Sequence, residues 1–266
     1  MILTDALIGY TGFVGSTLLK QTHFEALYRS TNIGDICDQT FNTVVCAGAP
    51  AQKWIANREP EADREKIEGL IAHLKSMTCN TFVLISTVDV FKKPLGVDES
   101  TPIDEVGLHA YGFHRRLLEK FVESHFPNHL IVRLPGLVGP SLRKNVIFDF
   151  LNDNNLHAID SRGIFQFYPM VNLWYDIQTA LNAGLKLVHL TAEPISVADI
   201  SAQGFGKQFE QPQENSPAIY DLRTQYAEIF GASCHYQYSR RETIQAVRAY
   251  AQSESISLNV VEGKIT

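Results

Sequence analysis

The stretch Gly9-Tyr10-Thr11-Gly12-Phe13-Val14-Gly15 decides how this chain is read. It stands between a short apolar run, Ala6 to Gly9, and a run of helical period, Phe13 to Lys20. Glycines at that junction let a backbone turn tightly and come close to a pyrophosphate. The helix that follows offers unpaired N–H groups and the positive end of its dipole. Gly9, Thr11, Gly12, Phe13, Val14 and Gly15 are therefore candidate dinucleotide contacts. A turn that merely joins strand to helix is the alternative, and the position after the first strand of a βαβ series argues against it.

That series continues along the chain. Apolar runs at Phe24 to Tyr28, Thr43 to Ala47, Thr81 to Ile85, Leu130 to Leu134 and Leu187 to Leu190 alternate with amphipathic segments, the pattern of a buried parallel sheet. One helix opens at Pro60 with Glu61 and Asp63 in its first turn and puts Ile67, Leu70, Ile71 and Leu74 on one face. Others run from about Tyr111 to Glu123 and from about Leu173 to Leu185. After Leu134 a loop with Pro135, Gly136, Gly139 and Pro140 breaks the rhythm, and a helical stretch follows at Val146 to Leu151. Two more helical patterns lie around Ile219 to Phe230 and Glu242 to Tyr250. The fold class expected is α/β, a doubly wound parallel (Rossmann) sheet with a small discontinuous substrate lobe. Residues 1–135 and 165–193 form the dinucleotide-binding domain in this reading, and 136–164 and 194–266 the lobe.

The net charge of −6, with Lys and Arg scattered, argues against nucleic acid as a partner. Cys37, Cys46, Cys79 and Cys234 show no paired spacing, so free thiols are expected rather than disulfides or a zinc site. The N-terminus lacks the pattern of a signal peptide and no segment reaches the roughly 18 apolar residues of a membrane span. A cytoplasmic protein is the expectation, with no membrane partner and no metal.

Dinucleotide sites often carry an acidic residue about 20 positions past the glycine turn. Here the second strand ends Tyr28-Arg29-Ser30. Arginine pairs with a 2′-phosphate, which favours NADP, with NAD as the alternative; a solvated strand-end arginine remains open. Ser30 joins Arg29 as a candidate contact. Asp35 is either an acceptor for the adenine amino group or a turn residue.

The G-x-x-G-x-x-G spacing resembles the extended short-chain dehydrogenase/reductases, the group of nucleotide-sugar epimerases, dehydratases and reductases. Further matches follow in order. Val44 to Ala49 resembles the family's fourth strand with its small-residue loop, which makes Ala47, Gly48 and Ala49 cofactor contacts. Ser86-Thr87-Val88-Asp89-Val90-Phe91 resembles S-[ST]-x-x-V-[YF], whose second hydroxyl is catalytic; that residue is Thr87. Val97 to Pro102 is similar to the D-E-x-x-P loop, Tyr111-Gly112 with Glu119 to Y-G-x-x-K-x-x-x-E, and Arg133 to Pro140 to the segment leading into the substrate lobe.

The resemblance implies Tyr111 as the acid/base, and Ser86, Leu134 and Pro135 as further cofactor contacts. A phenol of pKa about 10 needs a neighbouring cation and a hydroxyl to act near neutral pH. The family's lysine four residues after the tyrosine is Arg115 here, and the family's helix asparagine corresponds to Lys66. Arginine keeps the charge but cannot relay a proton. Substrate contacts are expected from Thr87, Asp89 and Asn145, the last within Lys144-Asn145-Val146. Phe165, Phe167 and Tyr168 are expected either in the same cleft or in sheet core, and Arg240 and Arg241 either on a substrate diphosphate or on a helix surface.

The function expected is NAD(P)-dependent oxidoreduction, epimerisation or dehydration at a sugar carbon, with a nucleotide sugar as substrate. The alternatives are a catalytically impaired NADP-binding sensor or a reductase of a small non-sugar carbonyl. By analogy with relatives, the helices around Pro60 and Tyr111 are expected at the interface of a homodimer.

Overall fold

The computed structural model describes residues 3–254. Six parallel strands form the central sheet: β1 (Ala6–Ile8), β2 (Ala26–Tyr28), β3 (Thr40–Cys46), β4 (Thr78–Thr87), β5 (His129–Leu134) and β6 (Leu187–His189). Their spatial order is β2-β1-β3-β4-β5-β6. The direction of winding reverses between β1 and β3, which opens a crevice at their carboxyl ends where doubly wound folds bind ligands. All six expected strands are present. The Val44 segment is the third strand rather than the fourth, because after β2 the chain passes through one short 3-10 turn, Ile33–Ile36, directly into β3.

Alternation along the strands divides the core into two layers. Ala6, Ile8, Val44, Cys46, Phe82, Leu84 and Ile131 point to one face, where Ile67, Leu70, Ile71 and Leu74 of α3 (Pro60–Leu74) and Leu118 and Val122 of α4 (Ala110–His125) cover them. Leu7, Val45, Val83, Leu130, Val132 and Val188 point to the other, against Leu18 of α1 (Phe13–Gln21) and Leu173, Ile177 and Ala180 of α6 (Leu173–Asn182). A period of two along strands buried on both faces makes both halves of each strand apolar, hence the continuous runs in the sequence. Between β3 and α3 lies the short helix α2 (Lys53–Arg58).

A third apolar cluster joins chain segments far apart in sequence. Val138, Leu142, Ile147 and Phe150, the last two on α5 (Val146–Asn152), pack with Phe167, Ile195, Val197 and Ile200. Ile244, Val247 and Tyr250 of α7 (Arg240–Ser253) complete it. The capping box of Ser239 and Glu242 starts α7.

The helical pattern expected around Ile219 to Phe230 is a correction. Asp221–Leu222 form a strand parallel to Leu95–Val97, and only Ala227–Phe230 coil, as a 3-10 turn. Glu99 explains the departure. Its carboxylate accepts from the Thr224 hydroxyl (2.7 Å) and the Gln225 and His189 amides (2.8 Å each), which holds this segment extended beside β6.

Candidate active site

At the carboxyl ends of β1, β3, β4 and β5 the structure opens into a cavity of about 1300 Å³. It runs from the glycine turn, past the loop after β3 and the end of β4, to Asn145. The turn itself is shaped by contacts that exclude side chains. Gly9 has φ of +84°, and a Cβ there would lie 2.4 Å from the Ala47 carbonyl oxygen; at Gly15 a Cβ would lie 2.2 Å from the Gly9 carbonyl oxygen. Gly15 thus sets the approach of α1 to β1 and does not line the cavity, whereas Gly9, Thr11, Gly12, Phe13 and Val14 do. No side chain caps α1, so its first-turn N–H groups stay available.

Arg29 and Ser30 at the end of β2 also border the cavity and are exposed. Arg29 makes no ion pair among the described residues. Asp35 is exposed on its 3-10 turn and lies outside the lining. Ala47, Gly48, Ala49, Ser86, Thr87, Asp89, Leu134, Pro135 and Asn145 all line the cavity. Arg240 does not: it is exposed at the first turn of α7, where its amide donates to Glu193 (2.9 Å). Phe165, Phe167 and Tyr168 also lie outside. Phe167 and Tyr168 are core, and the Tyr168 hydroxyl donates to buried Asp176 (2.5 Å).

Tyr111 sits in the first turn of α4, 8% exposed, and shares the cavity lining with Thr87. Burial pushes its phenol above the usual value; Arg115 opposes this, Asp89 adds to it, and Thr87 and Lys53 oppose it. The phenol is therefore held protonated at neutral pH. Gly112 is required beside it, since a Cβ there would fall 2.1 Å from the Asp89 carbonyl oxygen. Thr87 ends β4, and its hydroxyl accepts from the Asp89 amide (3.2 Å).

Arg115 is the largest departure from expectation. It is 3% exposed and forms a two-pronged pair with Asp63 of α3, through Nη1 to Oδ2 and Nη2 to Oδ1 (2.9 Å for the latter). Nη2 also donates to the Pro50 carbonyl and Nη1 to that of Tyr111 (3.3 Å). Its guanidinium carbon lies 4.0 Å from the centre of the Tyr111 ring. Every Nη hydrogen is thus engaged, while Nε is buried without a partner among the described residues. Asp63 also bonds His114 Nδ1 (2.7 Å). Burial alone would raise the Asp63 pKa, but the bonds from Arg115 and His114 outweigh it and hold the carboxyl low.

Sequence reasoning missed α2. Lys53 and Asn57 are four residues apart, hence on one face. Lys53 Nζ bonds Asp89 (2.7 Å) and the Tyr220 hydroxyl (3.3 Å), and Asn57 Oδ1 accepts from the Tyr111 amide (3.0 Å). Both residues line the cavity, as do Lys66 and Lys144. The asparagine next to Tyr111 is thus Asn57; Lys66, expected in the family's asparagine place, presents an amine to the cavity. The pairing of Lys and Asn at i, i+4 was visible in the sequence, but their partners Asp89 and Tyr111 are more than 30 residues away.

Glu119 and Arg133 hold the floor. Glu119 is fully buried and binds Arg133 through two bonds (2.9 and 2.8 Å), the Ser86 hydroxyl (2.6 Å) and Arg116 (3.0 Å). Burial would raise its pKa; Arg133, Ser86 and Arg116 reverse the shift and keep it ionised. This network fixes the ends of β4 and β5 relative to α4. The four cysteines are all free. Among the described residues no helix is long and apolar enough to cross a membrane.

No family model and no curated protein matches this sequence. Solved structures do match. The dTDP-4-dehydrorhamnose reductase of Bacillus anthracis, in complex with NADP, aligns with TM-score 0.72 and 14% identity over 96% of this chain and 99% of its own. TunA, an NAD-dependent NDP-hexosamine 5,6-dehydratase of tunicamycin biosynthesis, gives 0.71 and 16% over 95% and 98%. The UDP-glucose 4-epimerase of Thermotoga maritima with UDP-glucose gives 0.67 and 14% over 93% and 97%. The chain therefore has the doubly wound fold of these nucleotide-sugar reductases, dehydratases and epimerases, the fold of the extended short-chain dehydrogenase/reductases.

Proposed function

We propose that the cavity is the active site of a nicotinamide-dependent enzyme acting on a sugar carbon of a nucleotide sugar, with NADP as the preferred dinucleotide. The observation that carries this reading is the continuity of the cavity from the glycine turn to Thr87 and Tyr111. Its volume exceeds the roughly 300–1,000 Å³ of ordinary single-ligand pockets, which suits a cofactor and a substrate together. Of the five cationic residues on its lining among the described residues, Lys53 and Arg115 pair with Asp89 and Asp63, which leaves Arg29, Lys66 and Lys144 without a carboxylate partner. An anionic ligand follows from that balance.

The residues present fit a dinucleotide. The uncapped turn of α1 offers N–H donors to a pyrophosphate, Gly9 and Gly48 leave room for its approach, and Arg29 is free for a 2′-phosphate. The orphaned Nε–H of Arg115 supplies one donor for a ribose hydroxyl. When bound, the nicotinamide supplies or accepts the hydride. Tyr111, held protonated by burial, donates its hydroxyl proton to the carbonyl oxygen as that carbon is reduced, while Thr87 hydrogen-bonds the same oxygen. Arg115 and Lys53 then stabilise the phenolate left behind. Asp89 and Asn145, with the lobe built from residues 136–164 and 194–254, meet the substrate.

One observation favours a second reading, a dinucleotide-binding sensor without turnover: Asp63 already neutralises Arg115. Calorimetric titration with NADPH and NADH, followed by turnover assays on a panel of nucleotide sugars, tests both. NADPH binding with turnover supports the enzyme; binding without turnover supports the sensor; no binding of either dinucleotide refutes the proposal.

A further inference from the structure

We infer that Trp54, together with Lys53 and Asp89 on the same cavity lining, forms a subsite that holds the hexose ring of the substrate. The inference rests on the reading of the cavity as a nucleotide-sugar site and names which side chains meet the sugar.

Trp54 is 63% exposed, which leaves much of the indole open to a ligand. It lines the cavity, and the Arg58 guanidinium covers one face of its ring, 4.8 Å from the centroid. In this inference the hexose packs on the opposite face. The helix that carries it is not free to drift. Asn57 ties α2 to the Tyr111 amide (3.0 Å), and Lys53 ties it to Asp89 (2.7 Å), two residues past Thr87. The helix that carries Trp54 is thus fixed relative to Thr87 and Tyr111, and the part of the substrate nearest those groups is the hexose.

The neighbouring groups suit a polyol. A pyranose presents an apolar C–H face, which packs on an indole, and a rim of hydroxyls, each both donor and acceptor. Lys53 donates and Asp89 accepts, and the Tyr220 hydroxyl, which is not on the lining, bonds both (3.3 and 3.2 Å) and holds them in place. Burial alone would lower the Lys53 pKa, but Asp89 and Tyr220 hold the ammonium in its charged form.

The chain has two tryptophans, and Trp174 packs edge-on against Phe24 (5.8 Å), away from the cavity lining. Emission from Trp174→Phe therefore reports Trp54 alone. In that variant, saturated with NADP⁺, UDP-glucose and dTDP-glucose should change the emission saturably, while UDP should leave it unchanged. Trp54→Phe should lose the response, and Trp54→Ala should weaken UDP-glucose binding about tenfold in calorimetry. An equal response to UDP would make Trp54 a base platform and overturn the inference, as would no response to either sugar nucleotide. A parallel NADPH titration separates the failures. NADPH binding without any sugar response sinks the subsite alone, and failure to bind NADPH sinks the underlying reading as well.

Discussion

Replacing Asp63 by alanine should destabilise the protein out of proportion to the size of the side chain. Asp63 is 4% exposed and is the only carboxylate paired with Arg115 among the described residues; it also bonds His114. The substitution leaves a guanidinium buried without a counter-ion, a loss of about 3–5 kcal/mol for comparable buried pairs. For a chain of this length that corresponds to a fall in Tm of roughly 6–20 °C. Asp63→Leu combined with Arg115→Met removes both charges and should recover most of this stability, since an apolar pair of similar volume avoids the desolvation cost. It should not recover NADPH affinity, because Arg115 Nε is gone. Thermal and urea unfolding of the three proteins, with NADPH titrations, measure both effects. The sign with pH also follows. The Asp63 pKa is lower folded than unfolded, so its stabilisation is present above the unfolded value of about 3.9 and is lost as pH falls through the folded one. A loss below about 1 kcal/mol in Asp63→Ala, or full NADPH affinity in the double variant, would refute the reasoning.

Arg29→Ala should reduce any preference for NADPH over NADH by about 1–3 kcal/mol while leaving NADH affinity unchanged, as read by calorimetry. Tyr111→Phe should leave dinucleotide affinity nearly intact and lower turnover by roughly 10²–10⁴, and steady-state kinetics on the accepted nucleotide sugar decides it. Gly15→Ala should push α1 off β1, costing both stability and NADPH binding, because its Cβ would meet the Gly9 carbonyl. Burial lowers the His189 pKa to about 4, so its stabilisation is full above about 6.5 and is lost as pH falls toward 4. Urea midpoints should drop across that window, and His189→Gln should flatten the drop.

The parts legible in the sequence are those with local causes. Apolar runs, helix starts such as Pro60 and the glycine turn each depend on neighbours within a few residues, and all appear where the pattern puts them. The Ile219 segment was misread because its conformation is imposed by Glu99, more than 100 residues earlier. Arg115 was legible as a cation in a lysine place, but its engagement with Asp63 was not, since α3 and α4 are brought together only by packing on the sheet. Arg240 and Asp35 carry side chains suited to phosphate and adenine, yet the fold turns both to solvent away from the cavity. Residue type suggests a ligand, whereas only tertiary placement says whether the side chain reaches it.

The most direct measurement follows the hydride itself. NADPH deuterated at nicotinamide C4, in each of its two stereoisomers, is incubated with the protein and oxidised nucleotide sugars, and the products are examined by mass spectrometry. Deuterium should appear on a sugar carbon from one stereoisomer only, at a rate cut at least a hundredfold in Tyr111→Phe. Tight NADPH binding with no deuterium in any sugar, or transfer undiminished in Tyr111→Phe, would contradict the assignment of the cavity as a redox active site built on Tyr111.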